Sequence, residues 1–168
     1  MSLIVLPPLD DLATDVETLT FLFRLLEYQC PSLVVEAGTW RGHFSLMAAY
    51  LLPSSTVWTA DTINNTAKGP DNFKFFLGDF EKMLERLEPE SIGFAFIDSG
   101  PPFEGVWEDD IRWRHYQAVK PYMSPGGLIV SHDMNNCDWQ HADEIIAEAN
   151  IRLRGGRGIT IYQVKAIT

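Results

Sequence analysis

The sequence predicts an α/β domain on an open, doubly wound, mostly parallel sheet that finishes in a C-terminal antiparallel hairpin. Three observations predict it. Short apolar runs of strand length alternate with segments of helical period through most of the chain. The strand endings carry acidic residues at corresponding places: Glu36, Asp61, Asp79, Asp98 and Asp133. The chain has 168 residues, the size of one domain, with no internal repeat and no linker long enough to divide it, so residues 1–168 read as a single domain.

Residues 1–31 read as a helical segment packed on the sheet. Leu19, Leu22, Phe23 and Leu26 recur at helical spacing, and Pro31 closes the segment. Leu33–Glu36 is a strand buried on both faces, followed by a tight turn over Gly38-Thr39-Trp40-Arg41-Gly42. Phe44, Leu46, Met47, Ala48, Tyr50 and Leu51 continue as an apolar helix stopped by Pro53. Val57–Asp61 is a second strand. Residues 62–72 are polar and lack a helical period, so this crossover shrinks to a loop or a single turn. Phe73–Leu77 is a third strand, and Gly78-Asp79 opens a helix with Met83, Leu84 and Leu87 inward. Ile92–Asp98 is a fourth strand. The loop Ser99-Gly100-Pro101-Pro102-Phe103 leads to a helix through Trp107, Ile111, His115 and Val119. Pro125-Gly126-Gly127 reads as a turn before a fifth strand, Leu128–Ser131, which ends on His132-Asp133. Ala142–Ala149 is helical. Ile151–Leu153, Gly155-Gly156 and Ile159–Val164 form the hairpin.

Composition narrows the partners. Thirteen Lys and Arg stand against 23 Asp and Glu, a formal charge of −10. Counterion release on nucleic acid needs a basic cluster, and Arg152, Arg154 and Arg157 make only a small one, so no nucleic-acid partner is expected. Cys30 and Cys137 are too few for a disulfide framework or zinc knuckle and read as free thiols in a reducing compartment. No apolar run reaches the ~20 residues of a membrane span, so a cytoplasmic protein without a membrane partner is expected.

In open α/β sheets ligands bind beyond the carboxyl ends of the strands, which turns the endings into a candidate site. Singly, each Asp there has a plainer reading as a helix N-cap. The first turn excludes two phosphate cradles. A dinucleotide loop needs Gly where Trp40 stands, and a P-loop needs Gly-Lys-Ser or Gly-Lys-Thr where Gly42-His43-Phe44 stands. What remains is a glycine-hinged turn, a helix N-terminus and Glu36 two residues before Gly38. Such a turn suits a carboxylate on backbone N–H groups and an ammonium near Glu36, the two ends of an amino-acid moiety. Asp98, His132 and Asp133 end strands expected to be adjacent, so they could share a hard cation, although a His fits Mg²⁺ less well than oxygen ligands do. His132 could instead serve as a base, or simply hydrogen-bond backbone. His43 follows the turn, while His115 and His141 read as helix-surface residues. Trp58 and Trp107 read as packing residues, and Trp40 and Trp139 as residues of the pocket rim.

Glu36-x-Gly38-x-x-x-Gly42, Asp61 and Gly78-Asp79 together resemble the cofactor motifs of class I S-adenosylmethionine-dependent methyltransferases, which are Rossmann-like. Phe96-Ile97-Asp98, Phe103-Glu104-Gly105-Val106, Asp109 and Pro125–Asp133 are similar to the small-molecule O-methyltransferase branch related to macrocin and cephalosporin-pathway enzymes. The resemblance runs in order over residues 33–133. It implies S-adenosyl-L-methionine as cofactor, with Gly38, Thr39, Trp40 and Gly42 around its methionyl part. It also implies Asp61 with Thr62 at the ribose, Asp79 with Phe80 at the adenine, and Asp98 near the transferred methyl. Asp98, His132 and Asp133 would be the catalytic residues and the ligands of an Mg²⁺ ion, acting on a small-molecule acceptor, more readily at oxygen. Little sequence lies outside the core sheet, so either the acceptor is small or a second copy in a homo-oligomer covers the site.

One stretch departs from the branch. Asp98 is commonly followed there by Gly-Asp-His, whereas here Gly100 and Pro101 replace the Asp and the His. The Pro-Pro-aromatic run is similar to that of nucleobase amino-methyltransferases, but Gly100 has no side chain to accept from an amine, and a stiff loop is the preferred reading. The change permits an alternative, a binding module that keeps the cofactor and has lost transfer. An NAD or nucleotide-sugar enzyme of the same fold is disfavoured by Trp40.

Overall fold

The computed structural model describes residues 14–100, 111–135, 141–155 and 157–165. In chain order the elements are α1 (Val16–Gln29), β1 (Leu33–Ala37), α2 (His43–Leu51), β2 (Thr56–Asp61), β3 (Phe73–Leu77), α3 (Phe80–Leu84) and β4 (Ile92–Ile97). They continue with α4 (Ile111–Val119), β5 (Met123–His132), α5 (Ala142–Glu148), β6 (Ile151–Leu153) and β7 (Ile159–Gln163). The seven strands form one sheet in the order β3-β2-β1-β4-β5-β7-β6. β1 to β5 are parallel; β7 runs antiparallel to β5, and β6 to β7. The fold is thus the Rossmann-like α/β sheet with the antiparallel end that the sequence predicts. Strand order reverses between β1 and β4, which puts the ligand crevice at their carboxyl ends.

Period-two alternation splits the strand residues between two cores. Val35, Ala37, Ala95, Ile97 and Ile129 face α3, α4 and α5, packing on Phe80, Met83, Leu84, Tyr116, Val119 and Ile145. Val34, Phe94, Phe96, Leu128 and Val130 face α1 and α2, packing on Leu19, Leu22, Leu26, Phe44 and Ala48. Helix α1 therefore packs on the sheet over Val16–Gln29, while residues 1–13 of the expected 1–31 segment lie outside the described residues. It starts at Asp15, whose carboxylate accepts from the Thr18 N–H at 2.8 Å and hydroxyl at 2.9 Å, and stops where Cys30 turns left-handed.

The β2–β3 crossover has no helix, as its polar sequence predicts. Asn72 anchors it instead, its side-chain amide donating to the carbonyls of Ala49, Leu52 and Ser55 at 3.0, 3.1 and 2.8 Å. Two expectations need correction. Pro125-Gly126-Gly127 is not a turn before the fifth strand but lies inside it, because β5 begins at Met123. The register slips there, Ile92 facing Met123 and Phe94 facing Leu128, and Gly126 adopts φ +80 at the bulge. Backbone bonds between Gly126 or Gly127 and Val164 hold the stretch from the β7 side. Helix α3 is a mere five residues, so Leu87 lies beyond it while still packing on the core. Among the described residues no helix is long and apolar enough to cross a membrane.

Candidate active site

The turn after β1 is built from backbone constraints. Gly38 has φ +89, and a Cβ on it would lie 2.6 Å from the Asp98 carbonyl oxygen, so the turn rests directly on the end of β4. Trp40 and Gly42 are also left-handed, at φ 48 and 79, and Gly42 caps α2. From the neighbouring strand, the Asp61 carboxylate accepts from the Trp40 N–H at 2.8 Å through Oδ2 and from the Ile63 N–H at 3.1 Å through Oδ1. Each oxygen keeps a lone pair for a further donor. Thr62 beside it is exposed.

Glu36 lies beneath this turn, 3% exposed. The Thr59 hydroxyl donates to its Oε2 at 2.6 Å, and the Thr39 hydroxyl pairs with that of Thr59. Burial pushes the Glu36 pKa up to about 8 against the Thr59 hydrogen bond, with the Asp98 and Asp61 charges adding to the rise. Glu36 is therefore a protonated, buried acid at neutral pH. It braces the turn through Thr59 rather than standing open at the crevice.

The ends of β4 and β5 carry a contrasting, charged cluster. Burial raises the Asp98 pKa, but the His132 hydrogen bond and charge, the Arg112 guanidinium and the Thr14 hydroxyl outweigh it and hold Asp98 below the usual carboxylate range. Those contacts are His132 Nδ1 at 2.9 Å, Arg112 Nη2 at 3.4 Å and Thr14 Oγ1 at 2.6 Å. The His132 ring is fully buried, and its Nε2 lies 3.3 Å from Asp15 Oδ2. Burial lowers the His132 pKa, yet Asp98, Asp133 and Asp15 together raise it above the ordinary value. The carboxylates on either side thus favour the protonated form of the imidazole. Asp133, at φ 60, accepts from Arg112 Nη2 at 3.0 Å through Oδ2.

Arg112 ties the cluster together. Its Nε donates to the Ser99 carbonyl at 2.7 Å, its Nη1 to the His132 carbonyl, and its Nη2 to both Asp98 and Asp133. One ligand atom each of Asp98, His132 and Asp133 lies within 4.8 Å of the others, as a shared cation would require. A guanidinium nevertheless already bonds to both carboxylates, and both imidazole nitrogens face carboxylates. As arranged, the donor set does not fit a hard dication, which wants oxygen ligands and open coordination positions.

The strand-end residues Glu36, Gly38, Thr39, Trp40, Gly42, Asp61, Asp98, His132 and Asp133 all come to one end of the sheet. Asp79 is exposed at the start of α3, whereas the Phe80 ring is buried against His115 with centroids 5.2 Å apart. Phe80 therefore offers a ligand no ring face. His115 is not a helix-surface residue: it is buried, its Nδ1 is 2.6 Å from Ser99 Oγ, and burial pushes its pKa down to about 4 against the Glu81 charge. His141 is half-buried, stacked on Trp113 with its Nδ1 2.9 Å from Glu144. Sequence reasoning missed Arg112, Asp15 and Thr14. Pro101 to Asp109 with Trp107, and Cys137 and Trp139, lie outside the described residues.

Residues 35–134, more than half of the chain, match a family model described as "Methyltransferase domain". No curated protein matches the sequence. Among solved structures, a Corynebacterium glutamicum protein is similar with a TM-score of 0.70 at 20% identity, over 97% of this chain and 84% of that one. An O-methyltransferase from Bacillus cereus in complex with SAH is similar with a TM-score of 0.66 at 17% identity, over 94% and 84%. The O-methyltransferase TomG from Streptomyces achromogenes, involved in tomaymycin synthesis and solved with SAM, is similar with a TM-score of 0.61 at 17% identity, over 93% and 83%. At such identities the likeness is one of fold.

Proposed function

The chain belongs to the methyltransferase-domain family, and we propose that it moves a methyl group from S-adenosylmethionine to an oxygen of a small-molecule acceptor. The observation that carries this reading is the Asp61 clip. A carboxylate at the end of β2 holds the glycine turn by the Trp40 N–H and keeps lone pairs for a pair of hydroxyl donors. A vicinal diol beside an amino-acid group matches that turn. Asp61 would bind the ribose, and residues 38–42 the methionyl part. Asp79 would receive the adenine amino group.

When bound, the cofactor supplies an electrophilic methyl on a sulfonium. The chain's work is alignment, which can lower a barrier by about 7–11 kcal/mol when the reacting atoms are held in line. Asp133 is the more exposed of the paired carboxylates, its side chain 22% accessible against 7% for Asp98, and it would take the acceptor's proton. His132, enclosed and with both ring nitrogens facing carboxylates, would orient Asp98 rather than serve as the base. An Mg²⁺ ion between Asp98 and Asp133 would require Arg112 to leave. The acidic charge balance, with only a small basic cluster, favours a small acceptor over nucleic acid.

The engagement of both His132 nitrogens also supports a second reading, a module that binds the cofactor without transfer. Isothermal titration with S-adenosylmethionine, S-adenosylhomocysteine and NAD, followed by methyl-release assays on phenols, sugars and amines, separates the readings. Micromolar binding of the first two without NAD, with turnover on a hydroxyl acceptor, is expected. Binding without turnover on any acceptor favours the module, and preference for NAD overturns both.

A further inference from the structure

Between the carboxylates at the ends of β4 and β5 stands a side chain from a different element. Arg112, on α4, is 4% exposed, and its fork spans both strand ends. Two of its bonds go to the backbone carbonyls of Ser99 and His132, and its Nη2 reaches Asp98 Oδ1 at 3.4 Å and Asp133 Oδ2 at 3.0 Å. A guanidinium cannot lose its proton within a protein, so this charge is permanent. Its planar fork also fixes direction, which a hydrated ion with exchanging waters does not.

We infer that Arg112 is a built-in cation in the seat a divalent ion would take, so that the centre works without metal. Two features make the seat exclusive. One oxygen of each carboxylate, Asp98 Oδ1 and Asp133 Oδ2, accepts from Arg112, and the backbone carbonyls of Ser99 and His132 are bonded to the same fork. A dication entering among them would also meet the guanidinium charge at contact distance, where repulsion is large. Arg112 is a positioning residue: it holds Asp98 and Asp133 at a fixed separation whether or not a ligand is present. Its turnover role rests on the proposed methyl transfer, but its exclusion of metal does not.

Mn²⁺ serves as the probe, followed by electron paramagnetic resonance on the full chain. The wild-type protein is expected to leave Mn²⁺ free at millimolar concentration, and EDTA to leave cofactor binding unchanged. Arg112→Met, which keeps the stem and removes the charge, is expected to bind Mn²⁺ at least about tenfold more tightly than wild type. Adding Asp133→Asn should abolish that gain. Specific Mn²⁺ binding by the wild type that Asp133→Asn removes overturns the inference, as does a folded Arg112→Met that still leaves Mn²⁺ free. Should Arg112→Met fail to fold, the wild-type titration with its Asp133→Asn control decides alone. Failure to bind S-adenosylmethionine would sink the methyltransferase reading and leave this one standing.

Discussion

The two halves of the crevice are held by different physics. Around the β1 and β2 ends, order comes mainly from backbone geometry: left-handed turn residues, hydroxyl bridges above a buried acid, and the Asp61 carboxylate accepting from two backbone N–H groups. Around the β4 and β5 ends it comes from formal charge, with Asp15, Asp98 and Asp133 interleaved with His132 and Arg112. A pocket for a cationic donor gains from this division. The β1–β2 half offers a zwitterion backbone groups and the single Asp61 carboxylate, while in the β4–β5 half the carboxylates of Asp15, Asp98 and Asp133 outnumber the basic partners His132 and Arg112.

The largest expected effect comes from joining the halves too closely. Gly38→Ala puts a Cβ into the Asp98 carbonyl at a residue with φ +89, and should destabilise by about 3 kcal/mol or more in urea denaturation. An unchanged midpoint would show that the two halves are not in backbone contact. Next in size, Asp61→Ala strips the Trp40 and Ile63 N–H groups of their acceptor. Affinity for S-adenosylmethionine should fall roughly tenfold to a hundredfold by calorimetry. Unaltered affinity would remove the ribose assignment.

A smaller and sharper test uses pH. Glu36 is raised from 4.5 to about 8, so between those values the native state holds a proton that the unfolded state has lost. Stability should therefore fall as pH rises through that window, by about 1.4 kcal/mol per unit. Glu36→Gln should flatten this slope between pH 4.5 and the onset of His132 titration. Asp98 acts in the opposite sense: its lowered pKa stabilises the fold above the ordinary 3.8, and that contribution is lost as pH falls through its native value. Acid sensitivity thus belongs to the β4–β5 half and alkaline sensitivity begins in the β1–β2 half. A Glu36→Gln profile that keeps the wild-type slope would erase that distinction.

How much was legible in the sequence follows the same divide. The β1–β2 half is local: Glu36, Gly38 and Gly42 lie within one strand and one turn, and Asp61 ends the adjoining strand, so spacing reveals them. The charged half is assembled across the chain. Thr14 meets Asp98 over 84 positions and Asp15 meets His132 over 117, distances at which spacing carries no signal. Arg112 had one local sign. It shares a buried helical face with His115, Tyr116 and Val119, and an arginine on such a face needs a partner. Placing His115 on the helix surface hid that face, because the polar residues of α4 read as solvated. The same blindness applied to β5, whose Pro-Gly-Gly stretch looked like a turn while its pairing partner, Val164, lay far downstream.

Gly38 has one mechanical consequence. The turn that would cradle the donor and the peptide that carries Asp98 touch through main chain alone, with no side chain between them to yield. Any ligand that presses the turn inward by a few tenths of an ångström must move the Asp98 peptide by a similar amount. Arrival of the donor would then be felt at the acceptor's side as a displacement, transmitted through a joint without slack.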